Sequence, residues 1–376
     1  MDTGQTVSAR THLPSGKVTS WLKVNWGYLF VVVLLVVFPF LFSLISSTPV
    51  TSGAPLFWQG QLIIVFIMAV YAMSYDLLMG YVGILSFGHA AFFGGGAYAM
   101  ALFLNQAYPS ITSRYIVTLP GGADITGIVV LILAFLLVIL VSASLGLLFS
   151  AVSARIKGVY FAMITLAMGQ ALYILTKATD FVRWTGADEG LHGVPIPAWL
   201  NPTDHRLRFY FLALLFMVVM YMFIRRVVDS PTGKIFVAMR ENEDRARAIG
   251  YNPAVYRTLA IVISAISAGL AGGLFALWSR GVTPSLASTA TTINALIMTI
   301  LGGAGTLIGP MLGAGIMQVF SQFLYQWFGA RWPLVFGAIY IALVIFLPYG
   351  IVGTWNARKL RLKEGWKRWI GLVKKT

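Results

Sequence analysis

The sequence predicts an all-α polytopic membrane protein of about ten transmembrane helices, two of them broken by glycine, and three observations predict it. Of its 376 residues 58% are hydrophobic and 10% charged, which is more apolar surface than one soluble core hides. Apolar runs of about 20 residues, the length that spans a bilayer, recur along the chain. Two of these runs carry glycine clusters. The run 85–104 holds Gly88, Gly94, Gly95 and Gly96 beside His89, and the run 293–324 holds Gly302, Gly303, Gly305, Gly309 and Pro310. Each unsatisfied amide in hydrocarbon costs several kcal/mol, so irregular backbone at membrane depth must be buried in protein or face a water-filled path. Transporters break helices for that purpose.

In chain order, residues 1–26 form a cytoplasmic segment and 27–356 the membrane domain. Its spans fall near 27–45, 62–79, 87–104, 125–152 and 159–175, then near 209–224 and 259–278. A short eighth span at 293–301, either crossing or re-entrant, precedes 306–324 and 334–347. Arg10, Lys17 and Lys23 precede the first span as they would a secretory signal. The apolar stretch exceeds the usual signal core of roughly 7 to 15 residues and no small-residue cleavage site follows, so it is a retained helix. Cysteine is absent, which removes any disulfide framework and thiol chemistry.

Charge orients the spans. With the amino terminus inside, three Lys or Arg precede the first span, two lie at Arg155 and Lys157, seven lie from Arg225 to Arg257 and eight follow Asn356. Outside loops hold only Arg114, Lys177, Arg183, Arg206, Arg208, Arg280 and Arg331. That asymmetry puts both termini in the cytoplasm. The net charge of +15 therefore reflects topology and attraction to anionic lipid, not a nucleic-acid footprint. The tail at 357–376 spaces Trp366, Trp369, Ile370 and Val373 helically among lysines and arginines, the pattern of an anchoring helix in the inner interface.

The inside loop at 227–256 stops looking like membrane. Ser230 followed by Pro231 starts a helix, which is expected to continue through Glu241–Arg245 and Glu243–Arg247 pairs of favourable order until Gly250. Asn252 and Pro253 open the next. Arg240 to Arg247 could be only a solvated face, but Ile235, Phe236, Met239 and Ile249 are apolar with no bilayer around them, which points to protein docking.

No phosphate-cradling G-x-x-x-x-G-K-[ST] loop occurs: Ile235 follows Gly233-Lys234 and Val18 follows Gly16-Lys17. Ion coupling calls for intramembrane carboxylates or a relay, and among 12 acids only Asp76 falls within a span. Asp76 and His89 could face each other across the first broken span, although a lone membrane histidine more commonly bonds a neighbouring group. His12, His89, His192 and His205 fall on separate segments with no H-E-x-x-H or G-x-S-x-G context, so neither a metal site nor a catalytic residue is expected.

Leu85-Ser86-Phe87-Gly88-His89-Ala90-Ala91-Phe92-Phe93-Gly94, followed by Gly96-Ala97-Tyr98, closely resembles the motif of branched-chain amino-acid ABC transporter permeases. Gly158-Val159-Tyr160-Phe161-Ala162-Met163-Ile164-Thr165-Leu166-Ala167 looks like the M-type (LivM) subunit in particular. The same holds for Arg240-Glu241-Asn242-Glu243 with Ala246, Ala248, Gly250, Tyr251 and Asn252. It holds too for Gly302-Gly303-Ala304-Gly305-Thr306-Leu307-Ile308-Gly309-Pro310 with Gly313 and Ala314. These motifs keep their order over about 62–350.

The resemblance implies an importer permease fold and a transport subunit that is not itself an enzyme. It implies a translocation path at Gly88, His89, Gly94, Gly95, Gly96, Gly302, Gly303, Gly305 and Gly309, and coupling to a separate ATPase through Arg240, Glu241, Glu243, Ala246 and Gly250. Thr185, Gly186, Asp188, Glu189 and Gly190 resemble an outer-loop signature in which Ala187 and Glu189 depart from the family pattern; the two glycines could equally shape only a turn. No cofactor is expected in this chain, with ATP on partner subunits. The partners implied are ABC ATPase subunits, a related permease that favours a heterodimer, an external or periplasmic solute-binding protein and the lipid bilayer, without nucleic acid, in a bacterial or archaeal plasma (inner) membrane. The cargo would be branched-chain or other hydrophobic amino acids; urea, amides or aromatic acids, or an ion-coupled secondary carrier or passive channel, are the alternatives.

Overall fold

An amide surrounded by apolar groups must find its partner within the chain, and the computed structural model meets that demand almost wholly with helices. It describes residues 16–112, 125–153, 156 and 158–355, in two compact units, Met1–Leu56 and Phe57–Thr376. The interfacial tail expected at 357–376, residues 1–15 of the amino-terminal segment, Arg114, Arg155 and Lys157 lie outside the described residues.

In the first unit, helix α1 (Gly16–Ser46) starts within the segment expected to be cytoplasmic and continues through Pro39. Its last turn is tied down by hydroxyls: Ser46 Oγ donates to the Phe42 carbonyl at 2.7 Å and Ser43 Oγ to the Thr48 carbonyl at 2.6 Å. Local hydroxyl bonding of this kind is what lets apolar helices carry irregular backbone.

The second unit takes in α2 (Gly53–Asp76) from Phe57 onward, whose end winds into a π-helical turn at Leu77–Val82, then α3 (Ala90–Thr112), α4 (Ile125–Ser153) and α5 (Val159–Lys177). A one-turn α6 (Val182–Thr185), a strand β1 (Leu191–His192) and α7 (Arg206–Asp229) follow. Then come α8 (Pro231–Glu241), α9 (Glu243–Ala248), α10 (Pro253–Ser279), strand β2 (Gly281–Val282), α11 (Thr289–Gly302), α12 (Ile308–Phe328) and α13 (Trp332–Phe346). The two strands pair antiparallel, Leu191 opposite Val282 and His192 opposite Gly281.

Among the described residues six helical stretches are long and apolar enough to cross a membrane: Gly53–Val82, Ile125–Val152, Val159–Lys177, Arg206–Asp229, Pro253–Ser279 and Ile308–Trp355. The last of these takes in both α12 and α13. Phe30–Ser46 and Thr289–Gly302 are shorter apolar helices, and α3, diluted by its glycines, Asn105 and Gln106, stands outside both groups. At 14 residues α11 is about 21 Å long at 1.5 Å per residue, short of a hydrocarbon core of about 30 Å.

Helices α3, α4 and α10 pack face to face at the centre of this unit. Their contact is made by small residues: Ala268, Gly269, Ala271, Gly272 and Gly273 of α10 are all buried. In lipid, where burial of apolar surface gives no advantage to helix association, such residues let backbones approach and gain dispersion contact. Here the glycines expected to break the first span do something else. Gly94, Gly95 and Gly96 lie inside the continuous α3; the interruption is the non-helical stretch 83–89 before it, together with the π turn. Glycine in a helix costs roughly 1 kcal/mol against alanine, which close packing offsets. The second interruption lies where the glycines cluster, at 303–307 between α11 and α12, with Gly309 and Pro310 in the first turn of α12, where a proline is tolerated.

Candidate functional site

The 83–89 segment has no helical ladder: Gly83 and Ile84 N–H return to the Leu78 carbonyl of the π turn, and amides further on are satisfied from neighbouring helices. Phe87 N–H donates to Thr165 Oγ1 of α5 at 3.1 Å, and Ala90 N–H to Thr292 Oγ1 of α11 at 2.9 Å. Gly88 lies against the Thr165 carbonyl, where a Cβ would also stand 2.7 Å from Phe149. His89 is fully buried and its Nε2 lies 2.9 Å from Ser74 Oγ. That hydroxyl donates to the Tyr71 carbonyl at 2.6 Å, which makes Nε2 the donor. Tyr71, Tyr75 and Phe92 enclose the ring at centroid distances of 5.1 to 5.5 Å. His89 therefore does not face Asp76, as the sequence allowed; a helical step of two residues turns Ser74 and Asp76 to different sides of α2.

Asp76 instead reaches the second interruption. Its Oδ1 accepts from Gly305 N–H at 2.7 Å and its Oδ2 from Leu307 N–H at 3.3 Å. The turn these bonds hold needs positive φ at Gly303, Gly305 and Leu307 (117°, 77° and 50°), a conformation glycine adopts freely and leucine does not. Gly302 lies against the Gly309 carbonyl, so α11 and α12 form a tight hairpin around it. From the other side Arg240 of α8 donates through Nη1 to the Gly80 carbonyl of the π turn and interacts electrostatically with Asp76. A Cβ on Gly83 would stand 2.8 Å from Arg240 Cγ, and one on Gly305 3.4 Å from Arg240 Nη1.

The 227–256 loop departs from the single helix expected of it. Ser230 caps α8, its Oγ accepting from Gly233 N–H at 3.3 Å, with Pro231 in the first turn. The helix then breaks at Asn242 (φ −161°, ψ 103°), whose side chain caps α9 by accepting from Arg245 N–H at 2.9 Å. Asn242 competes for backbone as asparagine does, so Glu241 and Arg245 are not a turn apart on one helix. Glu243 and Arg247 are, at 3.7 Å. Phe236 and Met239, expected to await a partner, are buried within the unit and Ile235 is half-buried; α8 packs its apolar face on α7 and the π turn. The exposed apolar side chains of this stretch include Val237, Ile249, Tyr251 and Val255, and Glu241 is exposed as well. Ala246 is buried, and Glu243 is bound to Arg257 of α10 at 3.0 Å.

Gly250 ends α9 at φ +94°, and a Cβ there would meet nothing within 4 Å. Its role is conformational: Gly250 N–H donates to the Arg247 carbonyl at 3.0 Å and Tyr251 N–H to that of Ala246 at 3.2 Å, closing the helix end. Gly250→Ala should strain this end by about 1 to 2 kcal/mol without filling space. Hydrogen exchange should show the Tyr251 amide exchanging faster, and wild-type protection would refute the argument.

At the opposite end, Thr185 closes α6, and Gly186, Ala187 and Gly190 have positive φ. Thr185 Oγ1 accepts from Ala187 N–H at 3.2 Å, and Gly190 N–H donates to the Gly186 carbonyl at 3.2 Å. Gly190 lies against the Val282 carbonyl, so the turn feeds directly into the β1–β2 ribbon. Asp188 pairs with Lys177 at 2.8 Å on the surface, and Glu189 is exposed.

Two parts of this arrangement escaped the sequence. Arg257 donates to Glu243 and, at 3.1 Å, to the Ile156 carbonyl; it sits one turn into a span, and that position was the available signal. Asp76 was singled out, but nothing in the linear chain joins it to residues 305 and 307.

The family model described as branched-chain amino acid transport system / permease component matches residues 59–348. The high-affinity branched-chain amino acid transport system permease protein LivM of Escherichia coli (strain K12) is 28% identical over 323 residues, covering 80% of this chain and 70% of that protein. The LivH protein of the same system and strain is 22% identical over 309 residues, covering 78% and 93%. The autoinducer 2 import system permease protein LsrC of Photorhabdus laumondii subsp. laumondii is 25% identical over 200 residues, covering 51% and 57%. No solved structure matches the chain.

Proposed function

The chain belongs to the branched-chain amino acid transport system permease-component family, and from that premise we propose that it is the M-type membrane subunit of an ATP-driven importer. It takes up branched-chain or other hydrophobic amino acids across a bacterial or archaeal inner membrane, with both termini cytoplasmic. An external binding protein delivers the solute to the outer loops around 181–207, including the turn at Thr185 to Gly190. A related permease completes the path, which runs by the interruptions at 83–89 and 303–307 and the glycines beside them. Greater identity to LivM than to LivH, both present in one strain, supports a heterodimer. ATP is bound and hydrolysed on separate subunits that dock on the α8–α9 edge.

The observation that carries this reading is the position of α8: through Arg240 it touches the element flanking each interruption, while Val237, Ile249 and Tyr251 stay outside. Force applied there reaches membrane depth through packed elements. The test is reconstitution. Proteoliposomes holding this chain, its permease partner and the ATPase should accumulate solute only with ATP and loaded binding protein. Uphill accumulation by the chain alone on an ion gradient would instead establish a secondary carrier, and conduction without partners a channel. Equilibrium binding to the cognate external receptor then separates amino acids from urea, amides and aromatic acids.

A further inference from the structure

An acid inside a membrane protein is expensive and is kept for a purpose, with its partners naming that purpose. The partners of Asp76 are two amides of the turn between α11 and α12, Gly305 N–H at 2.7 Å and Leu307 N–H at 3.3 Å, and its side chain is fully buried. The π turn that follows Asp76 presses on the same place: a Cβ on Gly80 would clash with both Asp76 Oδ1 and Gly305 N. Arg240 of α8 closes the group by donating to the Gly80 carbonyl and packing its stem over Gly83. Both interruptions of the membrane domain thus meet at one point, and that point is bonded to the helix beneath.

We infer that Asp76 and Arg240 are positioning residues forming a rigid joint, which makes α8, the π turn at Leu77–Val82 and the 303–307 turn move as one body. This deepens the reading above and rests on it for the source of the motion. Displacement of α8 is then delivered to both interruptions together and not through the intervening helices. The carboxylate suits the task because both of its neighbours are donors; an asparagine amide would turn one donor–acceptor pair into two donors facing each other.

The chain lacks cysteine, so spin labels go only where cysteine is introduced. In the reconstituted transporter, Lys234→Cys with Ala304→Cys, both exposed, reports the joint, and Lys234→Cys with Ile174→Cys reports movement of α8 against α5. Between nucleotide-free and ATP-bound states the 174–234 distance should change while 234–304 stays fixed and narrow. Asp76→Asn should broaden the 234–304 distribution even without nucleotide and lower uptake about tenfold or more, the effect of losing a hydrogen bond to a charged group, with the ATPase still bound. Where Asp76→Asn does not insert, Arg240→Lys, which keeps the charge but not the guanidinium fork, should broaden the same distribution. A 234–304 distance that changes with nucleotide in the wild type, or an unaltered distribution in the variant that inserts, overturns the joint. A fixed 174–234 distance would remove the ATP-driven reading and leave the joint to be decided by the nucleotide-free distributions.

Discussion

Replacing Gly96 with valine should prevent α3 from seating on α10. A Cβ at Gly96 would fall 2.5 Å from the Gly269 Cα and 2.6 Å from its carbonyl carbon, and it would clash with the carbonyl oxygen. Those atoms are backbone of the opposing helix, so no rotamer change relieves the overlap and the helices must separate. Gly269 is itself against Ser142 of α4, so separation also opens the third helix of the cluster. Overpacking costs about 1 to 3 kcal/mol where side chains can give way, and more is expected here. The measured outcome is loss of a monodisperse peak on size exclusion in detergent. Gly95 is the internal control: its Cβ would meet only Leu145 Cδ1, at 2.6 Å. A leucine tip can rotate at a cost of about 0.5 to 1.5 kcal/mol, so Gly95→Ala should give nearly wild-type protein. If both variants behave alike, close backbone approach is not what holds α3 on α10.

Removing the carboxylate of Glu243 should release α9 from α10 and stop uptake. Arg257 has a side chain only 9% exposed, and its guanidinium donates to Glu243 from one nitrogen and to the Ile156 carbonyl from another. Breaking a fully buried pair by deleting one partner costs about 3 to 5 kcal/mol because the remaining charge is stranded. Glu243 is 19% exposed, so water partly compensates and a loss of about 2 kcal/mol is expected. Because α9 carries Ala246 into the unit and leads to the exposed Ile249 and Tyr251, its release disorders the edge at which ATPase docking is proposed. Glu243→Ala should therefore fall in thermal stability, lose copurification of the ATPase and lower uptake about tenfold or more. The double change Glu243→Ala with Arg257→Met should regain the stability, since replacing a buried pair by apolar groups is often neutral or better. Failure of the double variant to recover stability would mean that the ion pair does not set the position of α9.

The sequence by itself determined that the chain crosses a membrane repeatedly as helices, because hydrocarbon leaves the backbone no other solution. It also located the caps at Ser230 and Asn252, the helix end at Gly250 and the interruption at 303–307, all of which depend on residues adjacent in the chain. What it could not decide was which side of a helix meets which neighbour. Phe236 and Met239 have the composition of a docking face, and only the packing of α8 on α7 and the π turn makes them core. Gly94, Gly95 and Gly96 look like a break, and only the close approach of α10 shows at Gly96 why glycine is needed in an intact helix. Asp76 could turn to His89 or elsewhere; the tertiary fold turned it to amides more than two hundred residues away. Chain-local geometry is written in neighbouring residues, whereas contacts across a membrane domain depend on helix rotation and crossing, which no short stretch of sequence encodes alone.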